Sequence, residues 1–514
     1  MKRLNLKEKK KTTKEEKQKK EGGKHFELSN LDPFVVFDKK IKKYIEYYGD
    51  DLKTLKKSYK SFIRYFIPVI ALVTLFAFLK IKILLFSIPP LVLIAYTYPL
   101  LYVWSKASEH RKAVNSEAPF ISLIAYVNSL VDKGFNHTFK ELAQIKELKT
   151  PRIEQNFIDK MINYMNLSFS KAIEKRALVH TGDLLGKLYN NYLTSLELGF
   201  TVKDRLRETT KELLTELKDS YKSYLDKSAE MTEMMFSLFL MVPIVLIGFS
   251  FTFKVSLTEL MAPLAAAPAV YFLAASAQPT ADYNIKIGKY AYVLLGIPVA
   301  LIIPGISLTY KTIIAVSIVT VFSYLLYSQI TLANELEKVL PTFLKELSEY
   351  MRIGYTIRNA APRIKLDSKR AMKAIQEYLK DPENVNSPSK LFNLTFKLLF
   401  IIAKSGSSPS SLEELASTIS DVVYIKNSIV RQLKMFDALA VLTPVMLWMT
   451  FTMLGHIQTN PIPQEVIIGG YGMVSGLLFA KISRFTLFYF PTVLLVNIIL
   501  AILPFLPAKL LVGI

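Results

Sequence analysis

Two kinds of stretch alternate along the 514 residues. Apolar runs of roughly eighteen residues or more, nearly free of charge, are long enough to cross a hydrocarbon layer of about 30 Å. They fall at residues 62–79, 83–104, 234–253, 260–277, 290–308, 312–330, 437–455 and 485–503, with a shorter one of fifteen residues at 466–480. Between them lie two long polar stretches, 105–233 and 331–436, where apolar residues recur at helical spacing within charged sequence. A shorter amphipathic helix is expected over 31–59, with Ile41, Tyr44, Ile45 and Tyr48 on one face. The pattern predicts an all-α polytopic membrane protein of about nine transmembrane helices with two cytoplasmic helical-bundle modules. In chain order these are a basic tail and short helix (1–60), a membrane hairpin turning at 80–82 (61–104), the first module (105–233), four spans (234–330), the second module (331–436) and three spans (437–514).

The two modules read as a repeat. Pro119 opens the first and Pro341 the second, and Gly134 and Gly354 stand where each first helix should stop. A later helix ends at Gly199 in the first module and at Gly406 in the second. Each module continues into a long charged helix and then a span with an internal proline, Pro243 and Pro444. Glycine at these stops implies the left-handed backbone that other residues resist, and proline in a span implies a local kink. The spacing shrinks from about 220 to about 200 residues along the repeat, so the second copy is the shorter.

Charge places these elements. The net charge of +22 follows the polar segments rather than one compact basic domain, so excess Lys and Arg mark inner loops and not a nucleic-acid partner. With the N-terminus in the cytoplasm, about 60 of the 65 Lys and Arg fall on the inner side. That expectation makes this a multi-pass protein of the cell membrane. The Lys- and Glu-rich start, 1–24, is expected to be a disordered tail held near anionic lipid.

Sites for chemistry are scarce. There is no cysteine, which removes disulfides, thiolate metal sites and a Cys nucleophile. The segment 182–188, GDLLGKL, resembles a phosphate-binding loop, but its glycines are one residue too close and Leu188 replaces the Mg²⁺-binding hydroxyl. The five histidines (His25, His110, His137, His180 and His456) do not share the spacing of a helical zinc site, and each is expected in a loop or on the surface. Ionisable residues are nearly lacking inside the spans, which argues against an ion-coupled transporter; Asp437 sits at a span entrance. Gly469, Gly470, Gly472 and Gly476 have the spacing that lets helices approach closely, within the bundle or between copies. No cofactor or metal is expected, and no catalytic residue.

The order of basic tail, membrane hairpin, module, spans, module and spans resembles that of archaeal archaellum and type IV pilus platform proteins of the type II secretion F-domain family. The segments that carry the resemblance are EAPF at 117–120, LPTFLKELSEYMRIGYTIRNAA at 340–361, ELGFTVKDRL at 197–206 and the spans with Pro243 and Pro444. The first module departs from the family pattern at Ala118 and in two extra residues before Gly134. The resemblance implies a non-enzymatic platform, with a homodimer at the base of a filament. It implies as partners a cytoplasmic hexameric secretion ATPase, pilin- or archaellin-like subunits and membrane lipids. On that reading Lys203, Arg205 and Arg207 in the first module, with Arg352, Arg358 and Arg363 in the second, steer the acidic ATPase. The alternatives are a repeat-built membrane transporter and a membrane enzyme.

Overall fold

The computed structural model describes residues 33–79, 88–250, 253, 255–279, 283–381, 385–404, 409–454 and 464–503. The basic tail, the 80–82 turn and Gly406 lie outside these. Every regular element among the described residues is helical. The chain divides into two compact units, Met1–Arg111 and Lys112–Ile514.

The first unit holds α1 (Pro33–Val36), α2 (Asp38–Tyr48), α3 (Leu52–Leu79) and the start of α4 (Ile88–Leu130). The turn between α2 and α3 is made by Gly49, whose φ of 80° lets its N–H reach back to Ile45 O. Ile41, Tyr48, Leu55, Val103 and Ala107 form its small core, so the expected face of the amphipathic helix does turn inward.

In the second unit, α4 continues into α5 (Phe135–Leu142), α6 (Thr150–Met165), α7 (Phe169–Val179), α8 (Leu184–Glu197) and α9 (Val202–Phe236). A π-helical turn, Ser237–Met241, leads from α9 into α10 (Val242–Phe249). Pro243 explains that turn: lacking an N–H, it cannot bond to Phe239 O, and the ladder re-registers so that Val242 N–H reaches Ser237 O. Then come α11 (Leu257–Met261), α12 (Ala267–Ala277), α13 (Ala291–Leu294), α14 (Gly296–Ile302) and α15 (Leu308–Arg352). The remainder is α16 (Ile357–Ala360), α17 (Lys369–Lys380), α18 (Lys390–Lys404), α19 (Pro409–Leu454), α20 (Gln464–Arg484) and α21 (Phe490–Ile502).

Five described helical segments are long and apolar enough to cross a membrane: Val202–Phe249, Leu257–Ala277, Leu308–Arg352, Pro409–Met453 and Gln464–Arg484. The expected span over 290–308 is instead the short pair α13 and α14, interrupted at Leu295 and stopped before Gly305, which has φ of 83°. The four and seven helical residues of the pair rise only about 17 Å together. The expected 485–503 span is the thirteen-residue α21.

The expected helix starts are also revised. Pro119 and Pro341 do not open helices; α4 and α15 run through them, α15 apolar at one end and charged at the other, α4 charged only in its middle. Gly354 (φ 92°) and Gly199 (φ 68°) do adopt the left-handed conformation after α15 and α8. Gly134 does not: its φ is −66° and it precedes α5 in extended backbone. Asp132, at φ 56°, takes the left-handed turn there.

Among these five segments, α20 is the most enclosed, with 78% of its apolar stretch buried. Its glycines explain how. A Cβ on Gly469 would meet Thr312 of α15, and one on Gly470 would meet Met261 of α11. On Gly472 it would meet Pro444 of α19 and Leu500 of α21, and on Gly476 Val496 of α21. The small-residue series thus packs within the bundle. Where α19 enters its apolar stretch, Asp437 accepts hydrogen bonds from Arg484 Nε (3.0 Å) and Nη2 (2.6 Å), Ser483 Oγ (2.5 Å) and Thr492 Oγ1 (3.0 Å). This knot joins α19 to the α20–α21 corner, where Phe485 has a φ of 61°.

Candidate functional site

Three long helices carry the charged part of the second unit away from the apolar part without a break. From Met234, α9 runs back about 48 Å to Val202 at 1.5 Å per residue. By the same rise α15 extends about 33 Å beyond Ile330, and α19 about 42 Å beyond Asp437. Their far ends meet. Arg207 of α9 donates to Glu414 of α19 at 2.6 Å, and Arg352, the last residue of α15, pairs with the adjacent Glu413. The two glycine turns, after α8 and after α15, are therefore gathered around the first turns of α19.

This end is apolar as well as basic. Leu196, Leu198 and Phe200 flank the Gly199 turn and Ile353 precedes Gly354; they are 44%, 63%, 62% and 70% exposed. Large side chains left in solvent beside charged ones mark an interaction face more than a solvated helix end.

The six predicted basic residues separate into three groups. Arg205 turns back on its own block, donating to Glu208 at 2.6 Å and Asn191 at 2.9 Å. Arg207 and Arg352 are held by the α19 glutamates, and Arg363 lies 4.5 Å over the Tyr355 ring. Lys203 and Arg358 are exposed and make no ion pair among the described residues. Glu414 thus ties the two blocks together through Arg207, whereas Glu413 and Arg352 join α19 to α15 within the second. Lys397 and Glu147 add a further pair between the repeats at 2.6 Å.

Behind this face each block is held by a buried glutamate on its first helix. Glu117 of α4 caps α6, accepting from Lys149 N at 3.1 Å and Thr150 N at 2.8 Å. Burial pushes its carboxyl up in pKa, against the pull of those donors. Glu337 of α15 accepts from Lys426 Nζ at 2.7 Å and from Ser389 Oγ at 2.6 Å, and Ser389 in turn receives Phe392 N at the start of α18. The first block has α5, α6, α7 and α8 between its long helices, and the second has α16, α17 and α18, one fewer.

The first block contains a charge network that sequence reasoning missed. His180, expected at the surface, is fully buried, as are Glu154 and Arg176. Arg176 donates to both oxygens of Glu154, at 2.8 and 2.6 Å, and Tyr189 OH adds a third bond at 2.9 Å. His180 bridges Glu154 (3.1 Å) and Asp183 (2.7 Å). Asp183 caps α8 through Leu185 N and Gly186 N. Burial alone would raise Glu154, but Arg176 and His180 hold its carboxyl well below the usual range. Burial opposes the charge on His180, yet Glu154 and Asp183 push its pKa up to about 9. The loop lookalike thus has a structural use: a Cβ on Gly186 would fall 2.0 Å from His180 O. Asp183, three residues after His180 and just before an apolar helix, was the available signal. Among the described residues, no group of three or more His, Asp or Glu is arranged to hold a metal ion.

Compared with family models, curated proteins and solved structures, the chain matches none.

Proposed function

We propose that this chain is the integral-membrane platform of an archaellum or type IV pilus-like filament assembly system. It would dock a hexameric secretion ATPase on the cytoplasmic side and couple it to movement of pilin- or archaellin-like subunits through the bilayer. The observation that carries the reading is the membrane-distal face. Two glycine turns, one from each block and each with exposed apolar and basic residues, sit at the ends of helices that run unbroken into the apolar region. A stiff helix transmits a push at one end to the other, so a motor bound at that face would act on the spans directly.

The charge argument is narrower than the six residues suggest. Lys203 and Arg358 remain available to steer an acidic partner, and such steering weakens with salt. Leu198, Phe200 and Ile353 would supply the buried contact. The test is the variant L198S/F200S/I353S/K203E/R358E, made in the organism's own membrane. We expect loss of surface filaments and of ATPase co-purification at an unchanged membrane level of the chain. Normal filaments with retained ATPase would overturn the assignment. Normal filaments in a deletion strain would overturn the platform reading itself and favour the transporter.

A further inference from the structure

We infer that the first turns of α3, with α2 beside them, form a binding site for anionic lipid headgroups. Lys53, Lys56, Lys57, Lys60 and Arg64 are all exposed. At 100° per residue they fall within an arc of about 100° on α3. The opposite side carries Leu55, fully buried in the small core, and Phe62. No acidic residue interrupts the stripe between Leu52 and Leu79, and α2 adds four exposed lysines.

The depth of the stripe is set by aromatic residues. Phe62 stacks on Tyr98 at 3.8 Å, Tyr59 stacks on the same ring at 6.1 Å, and Tyr65 is 73% exposed. Amphipathic rings of this kind settle at the headgroup level of a bilayer. Lys60 and Arg64 are within one helical turn of them, and the apolar run of α3 begins at Phe62. The stripe therefore continues onto the apolar run that the sequence pattern reads as a membrane span, where the nearest anions would be lipid phosphates. A basic cluster directly beside a span is the charge pattern that recruits acidic lipid. Lys56 lies 5.5 Å over the Phe34 ring, which holds its stem along the stripe.

The chain has two tryptophans, so W448F leaves Trp104 alone as a reporter. Trp104 is half exposed and follows Val103, which packs in the same cluster as Leu55. The full chain would be reconstituted in phosphatidylcholine bilayers holding equal fractions of brominated phosphatidylglycerol or brominated phosphatidylcholine. We expect stronger quenching of Trp104 by the phosphatidylglycerol. Each lysine near the surface contributes about fivefold in affinity, so K53Q/K56Q/K57Q/K60Q should lower the preference about tenfold or more. The same four positions changed to Arg should retain it, which separates lost charge from lost folding. Equal quenching by the two lipids in the parent protein, as an acidic protein partner would give, overturns the inference. So does a preference that survives in the glutamine variant or vanishes in the arginine one.

Discussion

The buried His180 makes the first block sensitive to alkaline pH, by an amount that follows from its surroundings. Its pKa is raised from 6.5 to about 9 because Glu154 and Asp183 face it, against the cost of burial. The folded block therefore keeps a proton that the unfolded chain releases above pH 6.5. The stabilisation is fully present below pH 6.5, declines as pH rises, and is gone above about pH 9. The difference between the two values corresponds to about 3 kcal/mol. The chain lacks cysteine, so A177C places a single thiol at a buried position on α7, the helix that carries Arg176 and leads into His180. Thiol labelling, normalised to a free peptide at each pH, then reads the opening of α7 without unfolding the spans. Labelling in the A177C protein should accelerate on the order of a hundredfold more between pH 6 and pH 9.5 than in A177C/H180N. An identical pH slope in the two proteins would refute the assignment of the proton to His180.

Other substitutions test the same packing logic. G199A and G354A place a Cβ in open space but in left-handed backbone, so each should cost about 1–2 kcal/mol with no steric term, read as a lower melting temperature; Asn should cost less. R484M removes two hydrogen bonds from the partly buried Asp437 and should destabilise by about 2–3 kcal/mol, somewhat below the full cost of an unpaired buried charge. The double variant D437N/R484M should recover part of that loss in the same melt. If R484M melts like the parent, the knot at the α20–α21 corner contributes nothing.

Much of the helical character was legible because hydropathy and helical period are local properties. Gly199 and Gly354 were readable for the same reason: a left-handed stop after a helix favours glycine whatever surrounds it. Gly134 shows the limit, since Asp132 two residues earlier could take the turn and leave the glycine extended. Helix ends were harder. Hydropathy changes along α15 and α19 without the backbone breaking, so a boundary of polarity is not a boundary of structure. The 290–308 run was apolar enough to read as a span, but Pro298, Pro304 and Gly305 shortened its helices.

By itself, then, the sequence determined an all-helical membrane chain with two charged helical stretches, because burial in lipid requires long apolar runs and self-satisfied backbone. Only the tertiary structure decided which charges are available. Arg207 and Glu414 are 207 residues apart, and Arg352 and Glu413 are 61 apart. Nothing in either neighbourhood announces such a pairing. Likewise His180 is at the surface or at the centre of a charge network depending on where α6 and α8 deliver Glu154 and Tyr189. Electrostatic environment is a property of residues brought together by folding, and local sequence carries only half of each pair.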